Sequence, residues 1–230
     1  MGEVLAMKRA ALVISLGLLT LTGCSSGDMG NPVWDIVREK AKAGAQKLKT
    51  PRRAKRPTAI SPEQLKGITT PIIEVRIEKT DAFAALAPVR ENAGAVTWFT
   101  ADKIGLTFRH GILIRSQGLG ADLFAADIAG TVDALSHKSK NEFRRVHRYM
   151  DDENHMVSLT FTCNIENKGQ EEIGITDRTH QTIHLIERCK NETVNFANAY
   201  WASARSGKII QSRQWVGPDL GFLFIQRLIE

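Results

Sequence analysis

Across the second two-thirds of the chain, apolar residues recur mostly two positions apart, the period of a strand with one buried face. In residues 71–78, Ile73, Val75 and Ile77 alternate with Glu74, Arg76 and Glu78, which predicts a half-buried strand. Short β-rich runs follow at 96–100, 106–108 and 112–116, divided by Ala101-Asp102-Lys103 and by His110-Gly111, as in a meander with tight turns. Residues 142–150 and 155–165 flank the turn Asp151-Asp152-Glu153-Asn154, and Val157, Leu159, Phe161, Cys163 and Ile165 share one parity, predicting a long hairpin. Segments 182–189, 193–202 and 208–215 continue the pattern. Only residues 121–128, where Leu123, Phe124 and Ile128 sit near helical spacing, predict a helical turn inside this region. No repeat of fixed period is present. The expected fold is mainly β: an antiparallel meander forming a sandwich or partly closed barrel, with an N-terminal helical tether.

The amino terminus has a different pattern. Lys8 and Arg9 precede an apolar run over residues 10–21 that ends in Leu21-Thr22-Gly23-Cys24, a signal peptide with a lipobox. The run is shorter than the roughly 20 residues a stable transmembrane helix needs, so it predicts a passing signal and not an anchor. The anchor is expected at Cys24, whose thiol can take a diacylglycerol once the signal is removed. Ser25 follows it, where aspartate usually retains a lipoprotein in the inner membrane, so the expected location is the outer membrane, periplasmic face. Asn31-Pro32 offers an N-cap and a first helical position, and Val33, Ile36, Val37 and Ala41 give the following segment a modest apolar stripe to about residue 48. Residues 47–57 carry six Lys/Arg and no acid, the composition of a linker or of a contact with anionic head groups. Ser61-Pro62-Glu63-Gln64 can cap a helical turn before the domain begins. The expected organisation is a signal at 1–23, a lipid-anchored helical and basic tether at 24–68, and a β domain at 69–230.

A formal charge of +6 suggests a nucleic-acid partner until it is located. Residues 24–68 hold ten Lys/Arg against four Asp/Glu, whereas 69–230 hold nineteen against twenty. The basic excess therefore belongs to the tether. A near-neutral folded domain lacks the electrostatic footprint for nucleic acid.

With Cys24 carrying lipid, Cys163 and Cys189 remain, both on the apolar parity of their strands. If those strands are neighbours in an oxidising compartment, a disulfide can join them; two buried free thiols are the alternative. No nucleophile elbow, phosphate loop or dinucleotide fingerprint appears in its required context, and neither a cofactor nor a metal is expected. His180 and His184 are spaced for a metal on a helix, but on a strand they lie about 13 Å apart. Asp151, Asp152 and Glu153 suit either calcium or a plain acidic turn. Trp98, Phe196, Tyr200, Trp201 and Trp215 could stack on sugars or fill a core.

Several segments, in order, resemble the YjbF/GfcB family of outer-membrane lipoproteins that act with capsule and exopolysaccharide secretion systems. They are Thr97-Trp98, Arg115-Ser116-Gln117-Gly118-Leu119-Gly120-Ala121-Asp122-Leu123, Arg145-Val146-His147-Arg148-Tyr149, Phe196-Ala197-Asn198-Ala199-Tyr200-Trp201 and Ser212-Arg213-Gln214-Trp215-Val216-Gly217-Pro218. The resemblance implies a mainly β fold, no cofactor, and a non-catalytic accessory part in assembling or exporting a surface polysaccharide. The implied partners are polysaccharide-export proteins and the polysaccharide itself. Gly118, Asp122, Tyr200, Trp201, Arg213 and Trp215 are the positions it marks for glycan or partner contact. The rival expectations are a periplasmic polysaccharide-modifying enzyme, with Asp122, Asp127 and Asp133 as nominal carboxylates, and a purely structural envelope lipoprotein.

Overall fold

A computed structural model describes residues 60–137, 141–151 and 153–230; Cys24, the helix expected after Asn31 and the basic linker lie outside them. Twelve strands make one antiparallel sheet: β1 (Ile72–Ile77), β2 (Phe83–Asn92), β3 (Ala95–Phe99), β4 (Gly105–Arg109), β5 (Ile112–Gln117), β6 (Ala125–Asp127), β7 (Phe143–Met150), β8 (Met156–Ile175), β9 (Arg178–Lys190), β10 (Asn195–Ser203), β11 (Ile209–Gly217) and β12 (Gly221–Ile229). Helix α1 (Pro62–Leu65) precedes them, and α2 (Ala129–His137) lies between β6 and β7. The Ser61 hydroxyl accepts from the Gln64 amide and the Gln64 side chain accepts from the Ser61 amide, the expected capping box.

The strands run 5-4-3-2-1-12-11-10-9-8-7-6 across the sheet. Neighbours in sequence are therefore neighbours in space except at two places: β1 pairs with β12, and β5 and β6 stand at the two edges. The edges meet. The Ser116 amide donates to the Leu123 carbonyl at 2.9 Å, and the Leu123 amide to the Ser116 hydroxyl at 2.9 Å. Inside, the Gln214 side chain of β11 accepts from the Leu113 amide at 2.8 Å and donates to the Gly111 carbonyl at 2.9 Å. The result is a nearly closed barrel, the partly closed form of the two expected.

Alternation fills the interior: Ile73 and Val75 of β1, Leu86, Trp98, Leu106, Phe108, Leu113, Leu223 and Ile225 form one cluster. The intervening residues of β1 were expected to face water, yet Ile72, Glu74 and Arg76 are also buried. Arg76 pairs with Asp81 and lies over the Phe83 ring, and Ile72 is covered by the long hairpin. Strand β8 continues past a bulge between Asn167 and Gly169, and its far end brings Ile173 and Ile175 against Ile72, Ala85, Ala87, Ile210 and Leu228. Ile60, Leu65 and Ile68 pack on this second cluster, so ordered packing begins before residue 69.

Strand boundaries agree with the periodic reading for β1, β3, β4, β5, β7, β10 and β11, whereas β9 starts four residues before the expected 182, β8 runs ten residues beyond the expected 165, and β2 and β12 carried no clear signal. The helical turn expected at 121–128 is replaced by a loop and by β6, which pairs with β7 through Ala125↔Arg148 and Asp127↔Val146. Leu123 is held across the seam by Ser116, an arrangement that excludes a helical course, and the helix starts only at Ala129.

Candidate functional site

Three of the marked segments converge on a buried polar cluster. Arg145, His147 and Tyr149 alternate along one face of β7; Glu187 lies on β9, Asn198 and Tyr200 on β10, and Thr131 on α2. Four side chains donate to the Glu187 carboxylate. Thr131 Oγ1 binds Oε1 at 2.6 Å, Asn198 Nδ2 and Tyr200 Oη each bind Oε2 at 2.7 Å, and Arg145 Nη1 binds both oxygens at 3.1 and 2.9 Å. Arg145 is 1% exposed and Glu187 0%. Burial alone would push the Glu187 carboxyl up, but the Arg145 charge and the three neutral donors hold it below the ordinary carboxylate value. Burial likewise opposes the charge on Arg145, and Glu187 more than offsets it.

The network continues with a defined polarity. Arg145 Nε, which can only donate, contacts His147 Nε2 at 2.9 Å, so that nitrogen carries no proton. The imidazole proton then sits on Nδ1 and faces Tyr149 Oη at 3.1 Å, and the tyrosine hydroxyl donates to the Val216 carbonyl at 2.6 Å. Burial, followed by the Arg145 charge, keeps the His147 pKa well below 6.5. Aromatic rings enclose the imidazole: Trp215 stacks on it at 5.5 Å, Phe161 meets it edge-on at 5.6 Å, and Phe196 stacks on Trp215 at 4.5 Å. The cluster is sealed from solvent, so its chemistry is to hold α2, β7, β9 and β10 together.

Beside it, Cys163 and Cys189 face each other across β8 and β9 and form a disulfide. Their sulfurs and a Glu187 oxygen lie within 4.8 Å of one another, but sulfurs bonded to each other offer no thiolate to a metal.

The six positions marked for glycan or partner contact do not gather in one place. Tyr200 is 0% exposed within the polar cluster and Trp215 is 5% exposed in the aromatic shell, so both face the interior. Gly118 and Asp122 come together at the barrel seam: the Asp122 carboxylate accepts from Ser116 Oγ at 2.7 Å, the Gly118 amide at 2.8 Å and the Leu119 amide at 3.2 Å. Gly118 has φ +84°, a left-handed conformation that suits glycine there. Arg213 is partly exposed. Its guanidinium binds Glu78 at 2.8 to 3.0 Å and lies over the Phe222 ring. Trp201 stacks on His184, whose Nδ1 is 2.8 Å from Glu171. His184 is thus engaged by a ring stack on one side and a carboxylate oxygen on the other. Asp151 accepts from the Glu153 and His155 amides, as in a plain turn. Of the nominal carboxylates, Asp122 braces its own loop and Asp127 accepts from the Ala129 amide at the start of α2.

Sequence reasoning missed Glu187, Arg145 and Asn198. A signal was present for Glu187, a charge on the same apolar parity as Leu185 and Cys189.

The family model described as "Group 4 capsule polysaccharide lipoprotein gfcB, YjbF" matches residues 38–228. The chain belongs to this family. The YjbF match covers every strand and both helices except the last residue of β12. A crystal structure of the hypothetical lipoprotein YmcC from Escherichia coli (K12) shares the fold, with a TM-score of 0.66 at 18% identity, covering 79% of this chain and 98% of that one. Among curated proteins no significant match was found. Membership of the YjbF family makes this a capsule-related lipoprotein of the membrane-associated envelope. Among the described residues, no helix is long and apolar enough to cross a membrane.

Proposed function

We propose that this YjbF-family chain is a non-catalytic accessory factor in assembling or exporting a capsule or exopolysaccharide, acylated at Cys24 and held on the periplasmic face of the outer membrane. The observation that carries this reading is the family match across residues 38–228. The barrel supports it. The acid, base and cation with the most perturbed surroundings, Glu187, His147 and Arg145, are sealed inside and brace the fold, out of reach of a polymer. Contact with glycan or an export protein falls to partly exposed positions, Asp122 with its Gly118 loop, Trp201, and Arg213 beside Phe222.

The test is surface-polysaccharide yield in a deletion strain complemented with the wild-type chain or with Cys24→Ala, with surface and periplasmic glycan measured separately. Glycan retained in the periplasm in both the deletion and the Cys24→Ala strain is the expected result. Unchanged yield and location in the deletion would overturn the export role. Normal export in the Cys24→Ala strain alone would overturn the need for the lipid.

A further inference from the structure

A cleft of about 430 Å³ opens at one end of the barrel, where α2 lies beside the β4–β5 and β10–β11 turns. This is also the end at which α1 leads into β1 and at which β12 finishes, since β1 and β12 pair from Ile72↔Ile229. Branched aliphatic side chains make the walls: Val132 and Leu135 from α2, Ile183 and Leu185 from β9, Ile112 from β5 and Ile209 from β11. Ile112 and Ile209 are buried at 0% and 7% exposure, whereas the other four are only half-buried and present apolar surface to the cleft. Ser136, Ser203, Ser206, Asn167 and His110 form its polar rim.

The lining selects among ligand classes. It contains no Phe, Tyr or Trp among the described residues, so it offers no platform on which a sugar or a base would stack. It contains no Asp, Glu, Lys or Arg either, and its one imidazole, His110, stands on the rim and not in the aliphatic wall. A second cleft of similar size, about 460 Å³ between α1 and the β8–β9 turn, shows the contrast: Glu63, Lys66, Asp177 and Arg178 line it. Aliphatic walls without charge, closed by hydroxyls and an amide at the mouth, match a saturated chain that ends in a polar ester. The volume lies within the range of pockets that enclose small ligands, about 300 to 1,000 Å³. A lipoprotein works against a lipid surface, where the abundant ligand of that description is a phospholipid tail. We propose that this cleft binds one acyl chain of a membrane phospholipid, with its ester at the serine rim.

The proposal rests on the family assignment and not on the polysaccharide role. The test uses the full chain carrying Cys24→Ala, purified without detergent, delipidated, and titrated with the fluorescent fatty acid cis-parinaric acid. Saturable one-to-one binding is expected, with displacement by lysophosphatidylglycerol and none by a soluble maltooligosaccharide. Ser136→Trp, at an exposed rim position, places an indole in the mouth at little risk to folding, and Leu135→Lys places a charge in the wall. Each should weaken binding at least about tenfold, the equivalent of two methylenes left unburied. Far-UV circular dichroism checks the fold of each variant. Absence of saturable binding, unchanged affinity in a folded Ser136→Trp chain, or failure of the lysophospholipid to displace the probe would each overturn the proposal. The readout is a titration of purified chain, so a negative polysaccharide phenotype leaves it standing, and a negative titration leaves the export reading standing.

Discussion

Glu187 satisfies a full carboxylate with four donors in a place that water does not reach. Such a pair is not a large net gain in stability, because removing two charges from water costs nearly what their attraction returns; breaking it is a different matter. Glu187→Gln keeps the shape but strands the Arg145 charge, and should destabilise by about 3 to 5 kcal/mol in urea unfolding. Replacing both partners by apolar residues, Arg145→Met with Glu187→Leu, should cost less than the sum of the two single changes. His147 makes a prediction of opposite dependence on protonation. It is neutral when folded and titrates near its ordinary 6.5 when unfolded. Below that pH the unfolded chain binds a proton that the folded chain refuses, so stability falls with acidity by up to about 1.4 kcal/mol per pH unit. Between pH 6.5 and 5 the wild-type chain should lose more stability than His147→Gln, and equal slopes in urea titrations would refute the assignment.

At the scale of elements, alternation was legible wherever one face met the core and the other met water. It placed β7 and β8 around their acidic turn and put Cys163 and Cys189 on matching parity, which the register Cys163↔Cys189 realises. Their bond closes a separation of 26 residues, so the double change Cys163→Ala with Cys189→Ala should cost about 3 kcal/mol in the chain-entropy description, measured by urea midpoint under non-reducing conditions. Alternation failed where both faces are covered. Strand β12 reads Gly-Phe-Leu-Phe-Ile-Gln-Arg-Leu-Ile, an almost continuous apolar run whose period cannot separate a strand from a buried helix. Strand β2 carries Pro88 and few alternating positions. On either side of β6 the local spacing of Leu123, Phe124 and Ile128 gave way to tertiary bonds, because the seam demands that Leu123 reach Ser116.

For the molecule as a whole, the mainly β architecture was legible but the buried polar cluster was not. Its members lie on β7, β9, β10 and α2, and Arg145 and Glu187 are 42 residues apart, a meeting that only strand order decides. The same limit applies to the aliphatic cleft, whose walls come from four separate elements. Barrel closure also sets an order of events. Every strand can pair with a neighbour in sequence, β1 with β2 included, but the other edge of β1 must wait for β12, since Ile72 meets Ile229. A chain synthesised amino end first holds its first strand with one edge unpartnered until the last strand arrives. That edge of β1, with its free amides and carbonyls, is open to other strands until then. Pairing with β12 covers that edge, so the residues at 221–229 act as the latch that closes the sheet over β1.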